Sequence, residues 1–224
     1  MTSFVEHWRG RAGSLAAFGD SITQALHIAD PGTRWPHRLA QLLGARLDNR
    51  GRSGTVLQAS PDASGQPRPG NGRQRYAADL LGGERADVIA ILYGSNDARY
   101  TAAPRSFSLG NFMRDYRDML AGLFAAGYAA DAIVVGSPPP LPDAGFAVGA
   151  ADGFAGQSRA EFQRYAEAVK SLARAAGTYY APVNERLGAA DLESLILPDH
   201  VHPNADGHAV IAATFAEATR LPPT

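Results

Sequence analysis

The segment VIAILY, at residues 88–93, is the feature that most constrains the fold of this chain. An unbroken apolar run fits a strand that is covered on both faces, because a strand with one face in solvent alternates apolar and polar residues. Shorter apolar runs at 15–18, 133–135 and 178–182 and a weaker segment at 45–49 predict four further strands. Continuous runs of this kind are typical of parallel sheets buried between helices.

Helical patterns alternate with these strands. Apolar residues recur with a period of about 3.6 in residues 111–124 and 158–176, as they do on the buried face of a helix. A shorter helix is expected to end at Gly44, and a last helix is expected over residues 206–219. The alternation predicts a single-domain, three-layer α/β/α fold with a five-stranded, mostly parallel, doubly wound sheet, similar to that of flavodoxin.

The domain is expected to comprise the whole chain, residues 1–224, because this length suits one hydrophobic core. Residues 1–14 form an N-terminal arm in this interpretation. Its apolar side chains would pack on the domain or on a second copy, which leaves a homo-oligomer open. Residues 58–72 and 137–157 are rich in proline and glycine and predict two long loops. Loops of this length usually carry function, so we expect both near the active site.

Composition excludes several classes of function. The net charge of −1 and the lack of a basic block argue against nucleic acid and anionic membranes as partners. The chain has no cysteine, which excludes disulfides, thiolate metal sites and a cysteine nucleophile. Its N-terminus lacks the apolar stretch of a signal peptide, so a cytoplasmic location is expected, although a chain trimmed of its leader would look the same.

The segment FGDSIT places a serine directly after the first predicted strand. In an open parallel sheet, ligands bind beyond the carboxyl ends of the strands, so Ser21 is expected at the binding edge. A serine hydroxyl becomes a good nucleophile only when a nearby base takes its proton. The alternative from this segment alone is that Asp20 or Ser21 simply caps the next helix.

The segment LPDHVH offers a base for such a serine. Asp199 lies three residues before His202, a spacing that allows the carboxylate to bind one imidazole nitrogen and leave the other facing a cleft. Two alternatives stay open for this segment. One is a loop with surface histidines, and the other is a zinc site with His and Asp ligands from this cluster, which contains His200, His202 and His208.

Two further segments follow predicted strands and can supply hydrogen-bond donors. Asn96, in GSNDA, can donate through its side-chain amide, and Gly54, in RSGT, can offer an unobstructed backbone N–H to an anion. Alone, each fits an ordinary turn. Together, the four segments supply a nucleophile, an oriented base and two donors for an oxyanion, which is the set of groups that acyl transfer requires.

The segments GDSIT, RSGT, GSND and DHVH, in this order, resemble the sequence blocks of the SGNH hydrolases, also called GDSL esterases and lipases. They span residues 19–202. Within the family, NRGRSG, GSND and DHVHPNADGH are similar to isoamyl-acetate-hydrolysing esterases, and VVGSPPPL is similar to bacterial arylesterases. GDSI replaces the family's GDSL, and His200 stands where many members have glycine. Gly51 lies close to the second block, but Gly54 follows Arg-Ser, as in the family pattern.

The resemblance implies a serine ester hydrolase that works through an acyl-enzyme and needs neither a metal nor another cofactor. In such an enzyme Ser21 would be the nucleophile, His202 the base and Asp199 the residue that orients the base. The backbone N–H groups of Ser21 and Gly54 and the side-chain amide of Asn96 would form the oxyanion hole.

The expected substrate is a small-molecule carboxylic ester with a short acyl chain. Ile22 and Val201 adjoin the nucleophile and the base in sequence and are predicted to line a small apolar acyl pocket. Phe146 and Phe154 are candidate walls on the alcohol side, with simple packing of both rings on the sheet as the alternative. A carbohydrate esterase that deacetylates sugars would use the same residues. Outside enzymes, the alternative is a non-catalytic α/β module that binds acylated ligands.

Overall fold

A computed structural model describes residues 2–100, 106–149, 154 and 157–223 of the chain. The strands form one sheet of six, in the spatial order β2-β1-β3-β4-β5-β6. Neighbouring strands are parallel except for β6, which runs antiparallel to β5. The strands are β1 (Ser14–Gly19), β2 (Arg46–Gly51), β3 (Val88–Leu92), β4 (Ile133–Gly136), β5 (Tyr179–Ala181) and β6 (Thr219–Arg220).

Helices connect these strands and cover the sheet. None of the helices in the described ranges combines the length and apolar character that crossing a membrane requires. The α-helices are α1 (Phe4–Trp8), α2 (Ser21–Gln24), α3 (Trp35–Leu43), α4 (Gly72–Tyr76), α5 (Ser95–Arg99), α6 (Leu109–Ala125), α7 (Arg159–Ala176), α8 (Val183–Gly188), α9 (Leu192–Leu195) and α10 (Ala205–Ala216). A π-helical turn (Ala77–Leu81) follows α4, and 3₁₀ helices lie at Pro31–Thr33, Ala130–Ala132 and Asp143–Ala147.

Both faces of the sheet are buried, as the unbroken apolar run in β3 predicts. Successive side chains of β1 enter two separate hydrophobic clusters. Ala16 and Phe18 belong to the cluster that contains the apolar faces of α6 and α7, whereas Leu15 and Ala17 belong to the cluster that contains those of α3 and α10. The predicted three-layer, doubly wound α/β/α arrangement is therefore confirmed.

The predicted number of strands, five, is wrong, because the sheet has six. The additional strand, β6, consists of Thr219 and Arg220, which pair with Tyr180 and Tyr179 at the edge of the sheet. A strand this short contains no apolar run and is held mainly by backbone hydrogen bonds to one neighbour. This strand forms because α10 ends beside β5 and so places Thr219 and Arg220 at the edge of the sheet, which a local sequence pattern does not reveal.

The N-terminal residues pack on their own chain. Ser3 caps α1, and the Glu6 carboxylate accepts a hydrogen bond from the Ser3 backbone N–H at 2.8 Å. Phe4 is fully buried, with its ring centroid 5.3 Å from that of Tyr179. The Phe4 backbone N–H donates to the Ala218 carbonyl at 2.8 Å. The segment predicted as an arm therefore contains a short helix, α1, that packs beside the C-terminal end of α10.

The two segments predicted as long loops contain little regular structure where they are described. Residues 58–72 include an isolated bridge between Pro61 and Pro67 and lead directly into α4. Residues 137–157 include the last of the 3₁₀ helices. The remaining part of this second segment, residues 150–153, 155 and 156, lies outside the described residues.

The loop between α9 and α10 contains an unusual backbone position. An isolated antiparallel bridge between Ile196 and Pro203 closes this loop. Within it, His200 has a φ of +60°, in the left-handed region that glycine adopts without steric cost. Its carbonyl oxygen packs so closely on Gly145 that a Cβ at that glycine would lie 2.3 Å away. This position therefore favours residues that tolerate a positive φ, of which glycine is the first.

We predict that the stability of the fold depends on whether residue 200 tolerates a positive φ. His200→Gly and His200→Asn should keep the free energy of unfolding within about 1 kcal/mol of its original value, because both residues adopt this region readily. His200→Val should lower it by about 1–3 kcal/mol, because a β-branched side chain is strained there. Urea unfolding followed by circular dichroism measures all three. A Val variant as stable as the Asn variant would contradict this explanation.

Candidate active site

Ser21 is the first residue of α2 and lies directly beyond the end of β1. The Asp20 carboxylate caps this helix by accepting a hydrogen bond from the Ile22 backbone N–H at 2.9 Å. Helix capping, one of the two interpretations of this segment, is therefore confirmed for Asp20, and the Ser21 hydroxyl is left for other contacts. The helix begins this close to the sheet because Gly19 has no side chain, since a Cβ there would lie 2.1 Å from the hydroxyl oxygen of Thr23, on α2.

Asp199, His202 and Ser21 form a chain of hydrogen bonds. His202 Nδ1 lies 2.7 Å from Asp199 Oδ2, and His202 Nε2 lies 3.0 Å from Ser21 Oγ. An ionised carboxylate can only accept, so Nδ1 donates to Asp199 and the Nε2 of a neutral imidazole accepts from the hydroxyl. Residues 181 positions apart in sequence thus meet at one edge of the sheet.

The second oxygen of Asp199 holds the backbone of its own loop. Oδ1 accepts hydrogen bonds from the backbone N–H groups of Val201 and His202, both at 2.9 Å. Burial by itself raises the pKa of Asp199, but these N–H groups and the His202 imidazole together lower the pKa below its ordinary value. The carboxylate is therefore charged at neutral pH, and it keeps the proton of His202 on Nδ1.

Gly51 and Gly54 differ in what their backbone N–H groups can do. The N–H of Gly51 donates to Asn49 Oδ1 at 2.9 Å. Gly51 is also a close-packing position, since a Cβ there would lie 2.1 Å from the Gln24 backbone nitrogen. Gly54 has a φ of +72° and open space where a Cβ would be. Because Asn49 uses the N–H of Gly51, Gly54 is the better candidate donor to a ligand.

Asn96 lies on α5, just beyond the end of β3, and is tied to the loop that follows β2. Its Nδ2 donates to the Thr55 carbonyl at 2.8 Å. An amide nitrogen carries two hydrogens, so the second is left for a ligand. The neighbouring Asp97 carboxylate joins the same two segments, because it accepts from the backbone N–H groups of Leu57 and Gln58 at 2.8 and 2.9 Å.

Buried ionisable side chains lie beneath this edge of the sheet, and one of them, Arg75, belongs to none of the sequence motifs. Arg75, near the end of α4, donates to the Gly19 carbonyl at 2.8 Å and to the Tyr93 hydroxyl at 2.6 Å. Burial raises the pKa of Asp20 to about 7 and that of Asp97 to about 6. The end of β1 is therefore fixed by polar contacts as well as by apolar packing.

The four residues predicted to line the substrate site are all packed against other parts of the domain. Ile22 and Val201 are only 2% and 8% exposed. Phe146 and Phe154 are half-buried, and each ring packs against another aromatic ring of the domain. Their roles toward a substrate stay predictions.

Two more histidines lie on one side of the candidate base, His27 in contact with it and His208 behind His27. The ring of His27 lies 4.4 Å from that of His202, and the fully buried His208 contacts His27. No sequence pattern singles out His27. Across residues 2–100, 106–149, 154 and 157–223, no group of three His, Asp or Glu side chains is arranged to hold a metal ion. The zinc site considered for His200, His202 and His208 is therefore not assembled.

Solved structures of known proteins share this fold. The lipase/acylhydrolase from Enterococcus faecalis matches with a TM-score of 0.68 at 13% identity, over 93% of this chain and 98% of that one. Axe2, an acetylxylan esterase from Geobacillus stearothermophilus, matches with a TM-score of 0.65 at 21% identity, over 91% and 92%. LAE5, an α/β hydrolase enzyme from the metagenome of Lake Arreo in Spain, matches with a TM-score of 0.66 at 20% identity, over 91% and 93%.

Sequence comparison identifies the family. Among curated protein sequences, none matches this chain significantly. The family model of the GDSL-like lipase/acylhydrolases, in contrast, matches residues 17–210, which include all of the segments that resemble SGNH hydrolases. The chain therefore belongs to the GDSL-like lipase/acylhydrolase family, as that resemblance predicts, and is an ester hydrolase.

Proposed function

We propose that this chain hydrolyses short-chain carboxylic esters through an acyl-enzyme, with Ser21 as the nucleophile, His202 as the general base and Asp199 as the residue that orients the base. The hydrogen-bonded chain through these three side chains is the observation that carries the proposal. Its two distances, 2.7 and 3.0 Å, are short enough for a proton to pass from the hydroxyl to the imidazole.

Acylation begins when Ser21 Oγ attacks the ester carbonyl carbon and its proton moves to His202 Nε2. The imidazolium that forms is stabilised by Asp199, which accepts from Nδ1 and carries a negative charge at neutral pH. When the tetrahedral intermediate collapses, the C–O bond to the alcohol breaks and His202 gives its proton to the leaving oxygen. Water then attacks the acyl-enzyme while His202 takes up a proton again, and the carboxylic acid is released with Ser21 restored.

The negative charge that develops on the carbonyl oxygen needs donors that are already in place. We assign this role to the backbone N–H groups of Ser21 and Gly54 and to the second hydrogen of Asn96 Nδ2. Two contacts support the assignment. Asn96 binds the Thr55 carbonyl beside Gly54, which holds these two donors close together. The N–H of Gly51, the alternative donor, already binds a side chain.

The preference for short acyl chains rests on the residues beside the nucleophile and the base. Ile22 and Val201 are almost wholly buried and offer little exposed apolar surface to a long chain. A second candidate activity, removal of acetyl groups from sugars, needs the same chemistry and a similarly small acyl site. The structural likeness to Axe2, an acetylxylan esterase, is the reason to test deacetylation of sugars as the second candidate activity.

We expect Ser21→Ala to lower kcat for p-nitrophenyl acetate by up to about 10⁶-fold, because the acyl-enzyme can no longer form. The wild type should also be labelled covalently by a fluorophosphonate probe, and the variant should not. Ser171→Ala, at an exposed serine on α7, is the matched control and should retain both properties. Activity that survives in Ser21→Ala would overturn the assignment. A wild-type protein that neither hydrolyses the ester nor reacts with the probe would favour the non-catalytic module.

We expect Asn96→Ala to lower kcat by about 10²–10³-fold and to leave KM nearly unchanged, because an oxyanion forms in the transition state and not in the bound ester. Asn111→Ala is the matched control, since its amide also donates to a backbone carbonyl, that of Ser106. Steady-state kinetics of both variants, with thermal unfolding to compare their stabilities, measures the effect. A rise in KM with kcat retained would contradict the oxyanion role.

We expect kcat/KM to be higher for p-nitrophenyl acetate and butyrate than for the dodecanoate, because the site offers little apolar surface to a long chain. The ester series, measured under one set of conditions, tests this directly, and faster turnover of the dodecanoate than of the butyrate would contradict it. Release of acetate from acetylated xylo-oligosaccharides, measured beside the simple acetate, discriminates between the two candidate activities. A higher kcat/KM for the sugar would favour the carbohydrate esterase.

A further inference from the structure

The ring of His27 covers one face of His202. The two ring centroids are 4.4 Å apart, and the ring planes are tilted by 38° to each other. The hydrogen bonds of His202 to Ser21 and Asp199 are made by its ring nitrogens, whose lone pair and N–H lie in the ring plane. They oppose a tilt of the ring out of that plane only weakly. A flat side chain in contact with the ring face opposes such a tilt directly.

A buried histidine holds His27 in turn. His208, on α10, is fully buried, and its Nε2 lies 3.3 Å from Nε2 of His27. Its other nitrogen, Nδ1, accepts a hydrogen bond from the backbone N–H of Trp35 at 3.2 Å. Trp35 is the first residue of α3, so this N–H has no carbonyl partner within its own helix. The imidazole of His208 satisfies it.

The backbone N–H of Trp35 determines which ring nitrogen carries the proton in His208 and, through it, in His27. A backbone N–H can only donate, so Nδ1 of His208 carries no proton and a neutral His208 has its proton on Nε2. That proton faces Nε2 of His27, which must accept it. The proton of a neutral His27 is then on Nδ1. A proton on Nε2 of His27 would set two N–H groups against each other.

The surroundings of the pair also disfavour charge on either ring. Burial is the largest cause, and it lowers the pKa of His27 to about 4 and that of His208 to about 3. Both rings are therefore neutral at neutral pH. The other groups that act on one or both rings are His202, Asp199, Arg34, Arg38 and the Pro203 carbonyl.

We propose that His27 is a positioning residue for His202, and that it acts as a neutral ring whose tautomer is fixed by His208. The inference rests on the proposed function, because it concerns the base of that mechanism. Its effect is greatest when His202 has taken the proton of Ser21 and is a cation. The face of a neutral aromatic ring attracts a cation, whereas a protonated His27 would repel it.

Substitution of His27 tests this role. His27→Ala should lower kcat for p-nitrophenyl acetate by about 10–100-fold, because small misplacements of a reacting group have effects of this size. KM should stay nearly unchanged, because no contact to substrate is removed. His27→Phe, which restores a flat ring, should recover part of the loss. His7→Ala removes a half-buried histidine on α1, beside Asp131, and is the matched control with unchanged kinetics.

The outcomes separate this inference from the function on which it rests. Wild-type kcat in His27→Ala would overturn the positioning role, and so would an equal loss in the Ala and Phe variants. Ser21→Ala is measured in the same series. Activity that survives in Ser21→Ala overturns the proposed function itself. An inactive Ser21→Ala beside an unimpaired His27→Ala overturns the positioning role alone.

Nitrogen-15 NMR of the histidine rings tests the tautomers in the unmodified protein and needs no activity. At about pH 6, His27 should be neutral with its proton on Nδ1, and His208 should be neutral with its proton on Nε2. The spectrum of His27→Phe assigns the His27 signals by their disappearance. A His27 ring that is protonated at this pH, or the opposite tautomer in either ring, would overturn the proposed chain of hydrogen bonds.

Discussion

Helix α2 packs closely on the glycines that end two neighbouring strands, and the candidate site is built on that contact. A Cβ at Gly19 would lie 2.1 Å from the Thr23 hydroxyl oxygen, and one at Gly51 would lie 2.1 Å from the Gln24 nitrogen. Side chains at either strand end would therefore push the helix away from the sheet. The absence of both lets Ser21 sit at the edge where β1 ends, within hydrogen-bonding distance of His202.

Buried charge reinforces the same edge. An ionisable group in the protein interior destabilises the fold unless hydrogen bonds replace its lost hydration. Arg75 recovers these bonds partly from the Gly19 carbonyl, and Asp97 recovers them from the backbone N–H groups of Leu57 and Gln58. Each charged group thereby holds a strand end or a loop that bears a candidate site residue. This polar layer, and not the apolar core alone, sets the positions of the loops relative to one another.

The sequence predicts those parts of the molecule whose cause is local. Strand β3 was predictable because a strand buried on both faces needs an unbroken apolar run, and Ser21, Asn96 and His202 were predictable because each belongs to a short polar motif. Strand β6 and His27 were not, because each acquires its role only from a partner distant in sequence. For the histidine-rich segment, spacing alone leaves a zinc site open as an alternative, because it does not reveal that His208 binds the backbone of Trp35 and the ring of His27.

The packing of α10 on α3 connects the hydrophobic core with the proposed chemistry. Trp35 and Phe215 stack with their centroids 4.6 Å apart and their planes within 10° of parallel. The same docking brings His208 to the backbone N–H of Trp35 and so orients the ring that meets His27. The loop that carries His202 leads directly into α10. The base of the proposed mechanism, His202, is thus held by its own loop and by the ring of His27, which His208 on α10 holds in turn. The packing that stabilises α10 against α3 therefore also orients the imidazole of His202.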